Sequence, residues 1–132
     1  MESAQEQRAI LRAVPLFAAC SDRGLDEVAA LGRRDTLPAG AALTEEGRPG
    51  DSVYVMLEGT AEVRRSGATV AELGAGDVVG EISVLTHVAR SATVTATSPV
   101  SLVVFSGRDF RSLIGRNPPL LRQVLEALVA HA

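Results

Sequence analysis

Cysteine and histidine are scarce in this chain: Cys20 is the single cysteine, and the two histidines are His87 and His131. One thiol cannot close an intramolecular disulfide, and it leaves a thiolate zinc site without partners. The histidines lie far apart and form neither a His-x-His nor a His-Glu-x-x-His pattern, so no ligand cluster for a metal-activated water is in view. Basic blocks are missing too. With 13 Lys+Arg against 16 Asp+Glu the formal charge is −3, and no run of Lys or Arg gives the electrostatic footprint of a nucleic-acid binder. No apolar run approaches the roughly 20 residues that cross a bilayer. The first nine residues carry Glu2, Gln5, Glu6, Gln7 and Arg8, where a secretory signal has a basic start and then an apolar stretch. A cytoplasmic protein is the expectation.

What the chain does have is the composition of a folded domain, 46% hydrophobic and 22% charged in 132 residues. A chain of that length forms one domain, expected over 1–132, and buries about two thirds of its unfolded surface. Three zones follow one another. In 1–35, Ile10, Leu11, Val14 and Leu16 make one apolar helical cluster; Ser21 is placed to cap a second helix through Leu25, Val28, Ala29 and Leu31, with Pro15 as the break between them. Cys20 is read as a small hydrophobe beside that cap. In 36–106, glycines recur at short intervals between alternating or β-branched runs at 52–57, 60–64, 69–73, 92–97 and 100–105, the pattern of a sandwich or barrel. Tyr54 and Phe105 are expected in its core. Residues 65–68 read as a hairpin turn in which Gly67 takes positive φ.

The zone 107–132 returns to helix. Residues 108–115 form a short one, and Asn117-Pro118-Pro119 offers a cap followed by prolines suited to a first turn. Leu120, Leu121, Val124, Leu125, Leu128 and Val129 then recur at spacings of three and four, with Arg122, Gln123 and Glu126 on the other side. The stripe serves an intramolecular lid or a homodimer seam equally well. His131 is expected to be exposed.

The densest chemistry lies in 76–94, GDVVGEISVLTHVARSATV. Gly80 leads into one helical turn whose early N–H groups, notably that of Ser83, favour an anion. Arg90 adds a guanidinium fork that can grip two phosphate oxygens at once. Glu81 is an odd neighbour for an anion unless it accepts a hydrogen bond from a hydroxyl of the same ligand. Together these describe a ribose-phosphate pocket. His87 reads as a solvated loop residue.

In its order of residues, Gly80-Glu81-Ile82-Ser83-x-Leu85 and then Arg90-Ser91-Ala92-Thr93-Val94, the segment resembles the phosphate-binding cassette of cyclic-nucleotide-binding domains. These occur in the catabolite activator protein, the regulatory subunit of cyclic-AMP-dependent protein kinase and cyclic-nucleotide-gated channels. Pro38-x-Gly40, Glu46-Gly47-x-x-Gly50-Asp51, 55–59 and Gly76-Asp77 extend the resemblance over nearly the whole chain. It implies a mainly β fold, a jelly-roll (double-stranded β-helix) barrel at 36–106 with its cassette at 80–93, flanked by N-terminal and C-terminal helices. The implied ligand contacts are Gly80, Glu81, Ile82, Ser83, Arg90, Ser91 and Ala92. Glu81 would accept the ribose 2′-hydroxyl, Arg90 would pair with the cyclic phosphodiester, the Ser83 amide and Ser91 would complete the cradle, and Gly80 would let the backbone pass close to the sugar.

Departures from the family pattern narrow the expectation. No aromatic residue follows Phe110, so a base lid from the last helix would consist of Leu125, Leu128 or Val129. His87-Val88-Ala89 stands where the family often has Gly and Pro. The resemblance implies a sensor module, not an enzyme, with cyclic AMP preferred over cyclic GMP as ligand and no metal or other cofactor. Ligand binding would move the C-terminal helix. With only His131 and Ala132 after that helix, direct DNA contact is not expected, and output would pass to a homodimer partner or a fused or partner domain. The competing reading is a nucleotide-insensitive member serving as a protein interaction module, Arg90 pairing with Glu81 to hold an empty cassette.

Overall fold

Ser3 begins the first helix by a reciprocal cap: its Oγ accepts from the Glu6 amide at 3.1 Å while its own amide donates to Glu6 Oε1 at 3.4 Å. The computed structural model that shows this describes residues 3–130, with Leu128 and Ala130 described in backbone only. Helix α1 (Ala4–Arg12) ends before a 3-10 turn at Pro15–Phe17 that drives Phe17 into the core. Ser21 caps α2 (Asp22–Leu31) as expected, its Oγ accepting from the Gly24 amide at 3.0 Å. Cys20, next to that cap, is buried, and burial pushes its thiol pKa up against the opposing charge of Arg12.

Arg8 clamps α1 to α2 by a two-pronged contact with Asp26, at 2.7 and 2.6 Å. The hydrogen bond from Arg8 holds the Asp26 carboxyl below its ordinary value of 3.8. A carboxyl lowered by folding stabilises at neutral pH and loses that contribution as pH falls through its folded-state pKa. Asp26→Asn should therefore lower the melting temperature slightly at neutral pH and have no effect in acid, below the carboxyl's folded-state pKa. Thermal unfolding of both proteins across that range checks it; a difference independent of pH would refute it.

Strand β1 (Arg33–Leu37) starts directly after Gly32 and not at the expected Thr36, pairing Arg33 with Val104. A side chain at Gly32 would collide with Val103, so glycine lets α2 end flush against the sheet. The remaining strands are β2 (Ala42–Thr44), β3 (Ser52–Glu58), β4 (Ala61–Arg65), β5 (Ala68–Leu73), β6 (Val78–Val79), β7 (Thr93–Ala96) and β8 (Val100–Ser106). They form two antiparallel four-stranded sheets, ordered β1-β8-β3-β6 and β2-β7-β4-β5. The jelly roll expected from the resemblance is the fold observed.

Alternation along the strands gives two apolar layers. Met56, Leu102 and Val104 meet Leu43, Ala61 and Val94 between the sheets, with Tyr54 half-buried against them. Val53, Val103 and Phe105 face the helices and pack with Phe17, Leu25, Phe110, Leu113 and Leu120. The β4–β5 hairpin closes on Ser66 (φ 54°) and Gly67 (φ 81°), two successive positive values that match a type I′ turn. Glu46 Oε1 accepts from the Ser66 amide at 2.8 Å and steadies the residue that is not glycine.

Ser106 caps α4 (Gly107–Arg116), accepting from Asp109 N at 3.1 Å. Helix α5 (Pro118–Ala130) follows. The Asn117 side chain, buried, donates to Leu113 O at 2.8 Å and finishes α4, while the Asn117 backbone carbonyl accepts from the first amides of α5, those of Leu120 and Leu121. The apolar stripe of α5 is split by packing. Leu120 and Val124 are buried, while Leu121, Leu125 and Val129 are 39%, 52% and 76% exposed.

Candidate functional site

Gly80 adopts φ 94°, a conformation side chains rarely take, and starts α3 (Glu81–Thr86), with the Val84 amide closing on Gly80 O at 3.1 Å. The Ser83 amide lies one residue before that first intrahelical bond. Ser83 is buried, and its hydroxyl donates to Val88 O at 2.8 Å, shaping the loop that leads to Arg90. Residue 90 is then pinned by its backbone: its amide donates to Arg48 O at 2.9 Å and its carbonyl accepts from the Gly47 amide at 2.8 Å.

The side chain of Arg90 turns inward and is only 6% exposed. Nη1 donates to Gly80 O at 3.1 Å and Nη2 to Ser52 O at 2.8 Å. Two glycines make its slot. A Cβ at Gly80 would sit 2.5 Å from Arg90 Nη1, and a Cβ at Gly50 would overlap the guanidinium itself. Gly80 is thus required by its own φ and by the Ser52 carbonyl, 2.7 Å from such a Cβ, as well as by the arginine.

Gly80, Glu81, Ile82, Ser83, Arg90, Ser91 and Ala92 line one cleft of about 400 Å³, within the range of small-ligand sites. The expected set is therefore brought together. The other wall comes from Thr44, Val78, Val79 and Val94 and from the β4–β5 hairpin through Val63, Arg65, Val70, Ala71 and Leu73. The hairpin residues were missed by sequence reasoning. Their signal was the alternation 61, 63, 65, which puts Val63 and Arg65 on the face of Ala61 but leaves open what that face meets.

Two of the residues expected to form a lid stand away from the cleft in this arrangement. Leu125 and Val129 do not line the cleft; they line an open groove on α5 with Pro118, Leu121, Arg122 and Glu126. The cause is the docking of α5 by Leu120 and Val124 into the helix-facing core, which turns the other half of the stripe outward. The Leu128 side chain and His131 lie outside the described residues. His87 is exposed at the end of α3, as read, and lines a separate hollow with Pro49, Gly50 and Asp51. Among the described residues no three His, Cys, Asp or Glu side chains gather as metal ligands. No helix there is long and apolar enough to cross a membrane.

A cyclic nucleotide-gated potassium channel of Mesorhizobium japonicum is 35% identical over 111 residues, covering 84% of this chain and 31% of the channel. The chain spans about a third of that relative's length. The catabolite activator protein of Thermus thermophilus superposes with a TM-score of 0.77 at 30% identity, over 89% of this chain and 57% of that one. The regulatory domain of Toxoplasma gondii PKA, solved with cAMP, superposes at 0.84 with 23% identity, over 97% of this chain and 49% of that one, and shares the fold. The sequence profile of the cyclic nucleotide-binding domain matches residues 34–117. A jelly roll that buries its cassette arginine between Gly50 and Gly80, together with this match, places the chain in the cyclic nucleotide-binding domain family.

Proposed function

We propose that the cleft binds a cyclic purine nucleotide, cyclic AMP in preference to cyclic GMP, and that the chain acts as a regulatory module, not as an enzyme. The observation that carries this is the buried Arg90 guanidinium on the wall that also holds Glu81 and Ser91. A guanidinium away from water is costly unless an anion balances it. A cyclic phosphodiester supplies that charge, and Glu81 accepts the 2′-hydroxyl at the sugar end. Ser83 N–H, Ser91, Ile82, Ala92 and Gly80 complete the contact surface.

Coupling to the C-terminal helices runs through the loop before β3. Arg90 holds Ser52 O; the adjacent Asp51 accepts from the Gly107 amide at 2.7 Å through its carbonyl. Arg111 on α4 donates to Asp51 Oδ1 at 3.4 Å and to Val84 O of α3 at 3.3 Å. A ligand that draws Arg90 off Ser52 pulls on a loop joined to the start of α4, and α4 carries α5. The shift is bounded by the ligand's differential affinity for the two arrangements. The output domain is then a fused or partner domain, as the named channel relative has.

One observation favours the nucleotide-insensitive reading: two Arg90 donors already hold backbone carbonyls. Calorimetric titration with both nucleotides decides. Saturable binding, tighter for cyclic AMP, supports the sensor; no heat from either nucleotide supports an interaction module.

A further inference from the structure

We propose that Arg65, at the end of β4, is a second ligand-contacting cation, clamping the phosphate end of the nucleotide from the side opposite Arg90; this rests on the nucleotide-binding reading above. Arg65 follows Val63 on the cleft face of β4, and its Nε donates to Ser91 O at 3.2 Å, next to the residue that opens the phosphate side of the cleft. The bond aligns one edge of the guanidinium with the Ser91 backbone. It holds an exposed planar guanidinium on the lining of the cleft, beside the residue that follows Arg90.

Charge count supports the assignment. The cleft is lined by two guanidiniums, Arg65 and Arg90, and one carboxylate, Glu81. That is a local excess of one positive charge, in a chain whose formal charge is −3. A cyclic phosphodiester carries one negative charge and balances it. The two cations differ in setting: Arg90 is buried, whereas Arg65 is exposed. Salt screens the exposed one far more. Arg65 therefore confers the salt-sensitive share of affinity and steers the anion inward, and Arg90 holds it once inside.

The neighbouring Arg64 provides the control. It carries the same charge one residue away on the opposite face of β4, where Nη2 donates to Gly67 O at 2.6 Å and Nη1 lies 3.7 Å from Glu62. Calorimetric titration with cyclic AMP at about 0.05 and about 0.5 M salt should be run on the parent, Arg65→Gln, Arg65→Lys and Arg64→Gln. Arg65→Gln should bind about tenfold more weakly at low salt and show a flattened salt dependence. Arg65→Lys should keep the salt dependence with intermediate affinity, and Arg64→Gln should match the parent. Parent-like affinity and salt dependence in Arg65→Gln, or equal weakening in Arg64→Gln, overturns the assignment while leaving the site reading intact. Absence of saturable binding by the parent overturns both.

Discussion

Arg90→Leu should abolish measurable cyclic nucleotide binding, weakening it at least about hundredfold, because two charge-assisted hydrogen bonds worth about 1.5 to 3 kcal/mol each are lost together. The side chain also holds Gly80 O and Ser52 O, so thermal unfolding must accompany the titration to confirm that the variant folds. Gly50→Ala separates charge from placement. Its Cβ would overlap the guanidinium, the far end of a long side chain, so the arginine must leave its seat and its bonds to Gly80 O and Ser52 O. Weakened binding is expected, with the melting temperature lowered no more than in Arg90→Leu. Full affinity in Gly50→Ala would show that the observed seat of Arg90 is irrelevant to the ligand, and full affinity in Arg90→Leu would sink the site.

The largest effect on stability is expected at Phe105. Its ring is fully buried on β8, 6.2 Å from that of Phe17 in an edge-on contact and 6.1 Å from that of Phe110. It thereby joins the sheet to the 3-10 turn and to α4 in a chain with no tryptophan and one tyrosine. Phe105→Ala removes the shared neighbour of both rings and should cost about 3 to 5 kcal/mol. In thermal denaturation followed by circular dichroism the midpoint should fall by about 10 °C or more. A fall of only a degree or two would mean that the helices and the sheet are not held together through this triad.

Where a feature depends on neighbours a few residues away, it was legible in advance. Ser21 as a cap, the hairpin turn at 65–68 and the helical turn entered through Gly80 all follow from local hydrogen bonds and allowed φ values, and each stands where it was read. The ordered cassette from Gly80 to Val94 located one wall of the cleft for the same reason. Its residues are close in sequence, so their spacing nearly settles their geometry. Asn117 shows the limit even of local reading. It stands between two helices as expected, but its side chain serves Leu113 of the helix before it.

The other wall was not legible. Arg65 is separated from Ser91 by two strands and the cassette, and they meet because β4 pairs with β7, Val63 beside Val94 and Arg64 beside Thr93. Gly50 stood in the sequence as one position of the run Glu46-Gly47-x-x-Gly50-Asp51, and nothing in that run placed Arg90 across it. The last helix makes the same point from the opposite direction, since its six apolar positions satisfy helical spacing whichever half is buried.

By itself the amino-acid order determined the flanking helices, five of the eight strands, the Ser21 cap, the turn at 65–68, and the constellation of glycine, carboxylate and guanidinium that identifies the family, because such features depend on chemistry over a few bonds. Only the tertiary structure decided that Arg65 borders the cleft, that Gly50 seats Arg90, and that Leu125 and Val129 face outward while Leu120 and Val124 are buried. Periodicity gives the face on which a side chain stands. What that face meets is settled by how the two sheets stack and how the helices compete for the same buried surface.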